Sequence, residues 1–150
     1  MTTWTDTLRS IATAAEEAGV FGPVTVAGNR LACKAKAADA FYRVDVQNNL
    51  VCVSLVTPDR WLSQSIEQEL VNTGDKFADL LDEELAEQGF VGAAPKIEHF
   101  RSDDKLYTFR TPMPFAPADA GAHTQSLIQH LLAYEAMFGV LGDMPGGDEA

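Results

Sequence analysis

Apolar residues first recur along this chain at three- and four-residue steps: Trp4, Leu8, Ile11, Ala12 and Ala15. That spacing predicts a helix over residues 3–18 with one face turned to a core. Thr2 or Thr3 suits its N-cap, Asp6 the positive end of its dipole, and Gly19 its C-terminal cap.

The period then changes from helical to alternating. If Gly28-Asn29 is a two-residue hairpin turn, Val26 faces Leu31 and Val24 faces Cys33 on one side. Thr25–Ala32 and Ala27–Arg30 then pair on the other side. A second turn at Asn48-Asn49 sets Val46–Val51, Val44–Val53 and Tyr42–Leu55 on an apolar face. Gln47–Leu50, Asp45–Cys52 and Arg43–Ser54 fall on a mostly polar one. A one-residue slip would scramble both sets, so the pattern specifies the register. It also puts Cys33 and Cys52 on opposite faces, which argues against a disulfide between them.

Thr57-Pro58-Asp59 is a helix start, with Thr as N-cap and Pro at the first helical position. Leu62, Ile66 and Leu70 form one stripe, and Phe77, Leu81 and Leu85 continue it almost in phase. A single helix over 58–88 would be roughly 46 Å long, more than a domain of this size needs. The Asn72-Thr73-Gly74-Asp75 stretch offers a C-cap glycine and then an N-cap aspartate, so a break there is favoured. Gly89 ends the second piece. A small-residue linker over 91–95 leads to a hairpin of 96–101 with 106–111, in which Tyr107 and Phe109 share a face. Pro112, Pro114 and Pro117 stop the sheet. A last helix is expected from about Ala122 to Leu141, with Leu127, Leu131, Tyr134, Phe138 and Leu141 as its stripe. Residues 142–150, rich in acids and glycine, are expected to be a disordered tail. The expected order is α-β-β-β-β-α-β-β-α. It describes one α+β domain over 1–141, an antiparallel meander with N-terminal, middle and C-terminal helices.

Composition narrows the function classes. The 150 residues are 46% hydrophobic and carry 11 Lys+Arg against 22 Asp+Glu, a net charge of −11. Such a chain repels a phosphate backbone or an anionic membrane, so neither nucleic acid nor membrane is an expected partner. No apolar run approaches the ~18 residues that span a bilayer. The N-terminus has no basic region, and two cysteines with no N-x-S/T acceptor fit a reducing cytoplasm.

Catalytic signatures are scarce. There is no G-x-S-x-G elbow, no G-x-G-x-x-G or phosphate loop, no C-x-x-C and no H-E-x-x-H. His123 and His130 stand seven apart on one helix, about 10 Å along its axis, too far to share one metal ion. No cofactor, metal or catalytic residue is expected. Residues 59–87 hold nine acids against two bases, −7 of the total −11. Asp75, Asp79, Asp82, Glu83 and Glu87 lie away from Phe77, Leu81 and Leu85. They form either a solvated helix face or a surface for a basic partner segment. Trp61 falls to the side of the Leu62–Ile66–Leu70 stripe, either folded into the core or exposed at an interface.

The order of elements resembles the type III secretion chaperone-like fold, which includes the secretion chaperones and the YbjN-type proteins. The resemblance rests on the Thr3–Ala18 helix, the FYRVDVQNNLVCVSLV hairpin, and LYTFRTPMPF running into HTQSLIQHLLAYEAMF. In that family a strand ends in an apolar-Pro-apolar step before the C-terminal helix, as Pro112-Met113-Pro114-Phe115 does. The resemblance implies a non-enzymatic homodimer that holds a segment of a partner protein. The dimer contact is expected on the flank bearing Trp61, Leu62, Ile66, Leu70 and Val71, or at the adjoining sheet edge, where unpaired backbone groups must be covered. The alternative is a small-molecule binder or enzyme with a pocket where His99, Tyr107 and Arg43 converge.

Overall fold

The computed structural model describes residues 3–36, 39–47, 49–58, 63–64, 66, 68, 77–90, 97–101 and 106–149, with backbone alone at 77, 78, 99, 101 and 139–149. Helix α1 spans Trp4–Ala18. Thr3 caps it: its hydroxyl accepts from the Asp6 N–H while the Asp6 carboxylate accepts from the Thr3 N–H. Hydrogen bonding to Thr3, first from its backbone N–H and then from its side chain, holds the Asp6 carboxyl below its ordinary pKa. Gly19 ends the helix at φ 71°, a left-handed conformation that a side chain would strain. Thr7, Leu8, Ile11 and Ala15 form its buried face.

Four strands follow, β1 (Val24–Ala27), β2 (Arg30–Lys34), β3 (Phe41–Gln47) and β4 (Leu50–Thr57). The register is the expected one throughout both hairpins. Val26 pairs with Leu31 and Val24 with Cys33, then Val46 with Val51, Val44 with Val53 and Tyr42 with Leu55. Asn49 takes φ 65° at the second turn, which its short polar side chain tolerates. The last strands are β5 (Glu98–Arg101) and β6 (Tyr107–Pro112). They pair with each other, and β6 also pairs with β4, giving an antiparallel sheet in the order β1-β2-β3-β4-β6-β5. The chain therefore crosses between β4 and β5 through the middle helical region, and β4 ends up interior.

Ser63, Gln64, Ile66 and Gln68 have helical backbone, and helix α2 spans Phe77–Glu87. The expected break at 72–75 lies outside the described residues. Helix α3 runs over Thr124–Glu149, preceded by a 3₁₀ helix over Pro117–His123. Both ends differ from the expectation of Ala122 to Leu141. Pro117, expected to stop the sheet, occupies the start of the 3₁₀ turn, where its missing N–H costs nothing. At the far end the backbone stays helical past Leu141 into the expected tail, although Gly142, Pro145, Gly146 and Gly147 are poor helix residues. The apolar stripe does not explain that continuation.

Helix α1 packs on β1 and β2, α3 on β3 and β4, and α2 on α3. One sheet face thus carries the core: Leu31, Cys33, Val44, Val53, Leu55 and Phe109 against Leu8, Ile11, Leu127, Leu131, Tyr134 and Phe138. Within it the Tyr134 hydroxyl and Thr111 Oγ1 share a hydrogen bond of 2.6 Å, tying α3 to β6.

Candidate functional site

The opposite face of the sheet is where the charges gather. Strand alternation turns Arg30 and Lys34 (β2), Phe41, Arg43, Asp45 and Gln47 (β3) outward. It does the same for Cys52, Ser54 and Val56 (β4), Thr108 and Arg110 (β6), and Glu98 and Phe100 (β5). The small residues lie on β4, and the long ones flank it on both sides. The flanking side chains lean inward over the small ones, so Cys52, Ser54 and Val56 are buried although they point away from the core.

A polar ladder bridges the strands over this trough. Arg30 Nε donates to Asp45 Oδ2 at 3.2 Å, and Gln47 Nε2 donates to Asp45 Oδ1 at 3.1 Å. Arg110 Nη1 donates to Gln47 Oε1, and Arg110 Nε donates to Glu98 Oε1 at 2.6 Å. The chain of contacts runs from β2 to β5. It passes over β4, because Gln47 reaches across to a side chain two strands away. The Arg110 guanidinium also lies over the Phe100 ring, 4.6 Å from its centroid. Asp45, 3% exposed, is a buried carboxylate satisfied from both sides. Burial pushes the Cys52 thiol up to about 11, against the lowering effect of Arg110. Cys33, buried in the core on the other face, is pushed up to about 12, and both thiols are free. Neither is poised as a nucleophile.

A groove of about 140 Å³ opens on this face among Arg30, Arg43, Asp45, Gln47 and Phe100. A wider, open hollow of about 610 Å³ lies at the 3₁₀ helix, beside Phe115 and His123. The two rings there stack at 4.2 Å and 8°. Among the described residues no group of three or more His, Cys, Asp or Glu side chains is placed to hold a metal ion. Likewise no helix of the described residues is long and apolar enough to cross a membrane.

The residues singled out from the sequence are distributed unevenly. Asp79, Asp82, Glu83 and Glu87 are exposed on α2. Glu84 beside them is half-buried, and its carboxyl is raised first by desolvation and then by Glu87 and Glu83. Trp61, Leu62, Leu70, Val71 and Asp75 lie outside the described residues. Ile66, expected on a dimer flank, is 1% exposed and belongs to the core, so its side chain is already buried within one copy. The positions of the trio His99, Tyr107 and Arg43 are divided between the two faces of the sheet. The register puts positions 99 and 107 on the core side of the sheet and Arg43 on the other.

The outward trough was not anticipated. Its signal was available as three small residues alternating along β4, opposite Arg43, Asp45 and Gln47. What was missing was β6 on the far side. No family model matches the chain, and no curated protein matches it either.

Proposed function

We propose that this chain is a non-enzymatic protein-binding module that holds an extended segment of a partner protein and acts as a homodimer. One observation supports it most: the outer sheet face combines a groove, guanidinium and amide donors, and aromatic rings at Phe41 and Phe100, spread over several strands. A surface of that shape suits an extended chain, whose backbone and alternate side chains can be read along neighbouring strands. The dimer is supported by the sheet edges. Among the described residues, β1 and β5 each have one side that no other strand pairs with, and such edges are covered or paired in stable proteins. With Ile66 in the core, the edge is the better supported of the two expected contacts. The exposed acids of α2 repel their symmetry mates and stay in water. A reducing cytoplasm is the proposed setting, supported by two buried free thiols.

Two measurements test this. Light scattering at micromolar concentration should give twice the chain mass of 16.2 kDa, and a monomer mass overturns the dimer. A photo-crosslinking residue at Phe100, expressed in the native cell, should trap a protein adduct that the same residue at Asp79 does not. Adducts at neither position, or only at Asp79, overturn segment binding on this face.

A further inference from the structure

We propose that the open edge of β1 is the contact between two copies of this chain, with Val24 of each copy paired antiparallel to Val26 of the other across a two-fold axis at Thr25. This rests on the homodimer reading above and names the surface and the register of that dimer.

The backbone is the first argument. Lys34 N donates to the Pro23 carbonyl at 2.9 Å, which sets the phase of the β1–β2 ladder. Hydrogen-bonded pairs then recur at Thr25–Ala32 and Ala27–Arg30. Val24 and Val26 therefore turn their N–H and C=O groups away from β2, where no strand among the described residues pairs with them. The sequence Val24-Thr25-Val26 reads the same in both directions. A two-fold antiparallel pair therefore sets valine beside valine on the core side and Thr25 beside Thr25 on the outer side.

The character of the strand decides between the two edges. Edges that stay unpaired carry charges, prolines or bulges as guards. The four residues of β1 include no charge and no proline, and its register with β2 is unbroken. β5 carries Glu98 and Arg101. Val24 and Val26 face the core yet are only half-buried, so the valines of a second copy complete their burial.

Helix α1 fits the same axis. It runs antiparallel to β1: Trp4 Nε1 donates to the Asn29 carbonyl at the hairpin turn, and Lys36 Nζ donates to the Gly19 carbonyl at the other end. With that direction, the right-handed turn of the helix puts the stripe Thr5, Arg9, Ala12 and Glu16 on the flank towards the open edge. Strands lie about 4.8 Å apart, so a helix over the β1–β2 pair stands about that far from the axis. Its mate is then about 10 Å away, a distance at which helices pack. Thr5 and Ala12 are small enough for that approach. The stripe holds one base and one acid, so it is neutral on a molecule of net charge −11. The two-fold axis also turns the Arg9 end of each helix towards the Glu16 end of the other.

The test uses the full chain with cysteines placed on the exposed side of β1. Facing residues of a non-hydrogen-bonded antiparallel pair have Cα atoms about 4.5 Å apart, within disulfide reach. Under mild oxidation Thr25→Cys should run as a covalent dimer on non-reducing electrophoresis. Ala27→Cys, roughly 13 Å along the strand from its mate, should not. Thr25→Asp sets two carboxylates face to face and should raise the dimer dissociation constant about tenfold, read by light scattering over a dilution series. In the unaltered dimer the Val24 and Val26 amides should be protected from hydrogen exchange, and dilution to the monomer should release them. A mass of 16.2 kDa for the unaltered chain overturns the dimer and this contact together, and leaves the edge to a segment of the chain itself or to another protein. A dimer that persists undiminished in Thr25→Asp and gives no crosslink at position 25 overturns this contact alone. Equal crosslinking at positions 25 and 27 overturns the register.

Discussion

Removing the hydroxyl of Tyr134 tests the clamp between the last helix and the strand that carries Arg110. Tyr134 and Thr111 are both 0% exposed, and the 2.6 Å bond between their hydroxyls is the contact that satisfies each of them among the described residues. Burial drives the Tyr134 phenol well above its ordinary pKa, so it stays neutral and able to hydrogen-bond at any working pH. Tyr134→Phe keeps the ring and its packing on Phe138, 5.2 Å away, but strands the Thr111 hydroxyl in a dry site. The cost of a buried hydroxyl without a partner is about 1–3 kcal/mol. Thr111→Val, nearly the same shape, strands the Tyr134 hydroxyl instead at a similar cost. The double variant strands neither, and its stability should return to within about 1 kcal/mol of the parent. The cycle therefore predicts a coupling of roughly 1.5–3 kcal/mol between the two sites. At this chain length each kcal/mol is about 2–4 °C in melting temperature, so either single variant should melt roughly 3–8 °C lower. Urea unfolding followed by far-ultraviolet circular dichroism measures all four proteins, with unchanged m-values as the check that compactness is preserved. A double variant as unstable as the two singles added together would refute the reasoning, because it would show the hydroxyls acting independently.

His130 predicts a pH dependence. Its ring is 1% exposed, Nδ1 donates to the Ser126 carbonyl at 2.7 Å, and burial lowers its pKa below the ordinary 6.5. The unfolded chain then binds the proton first, so this contribution to stability is complete above about pH 6.5 and is lost as the pH falls through the lower folded value. Melting temperatures between about pH 7.5 and 5.5 should fall, and His130→Phe should flatten the drop; an equal drop in that variant would remove His130 as the cause. The thiols predict reactivity: neither Cys33 nor Cys52 should react with a thiol reagent in the folded protein, and both should react once it is unfolded without reductant. Finding neither thiol in the unfolded protein would mean a disulfide and contradict their placement on opposite faces.

Much of this fold was legible along the chain because β-hairpins are local. Two turn residues set which side chains face each other, and the apolar and polar pairs of β3 and β4 agree only in one register. The capped first helix and the Leu127–Leu131–Tyr134–Phe138 stripe were legible for the same reason, since each is written within a few turns of chain. Pairings between distant segments were not legible. Nothing in 98–112 states that β6 lies beside β4, or that β5 is the edge. That choice encloses β4 on both sides, buries Cys52, Ser54 and Val56 on an outward face, and brings Arg110 across from Arg43. Alternation tells which way a side chain points, not what stands next to it. In the same way, the helical stripe could say that Ile66 is apolar on one side, but only the packed core decided that one copy of the chain buries it completely.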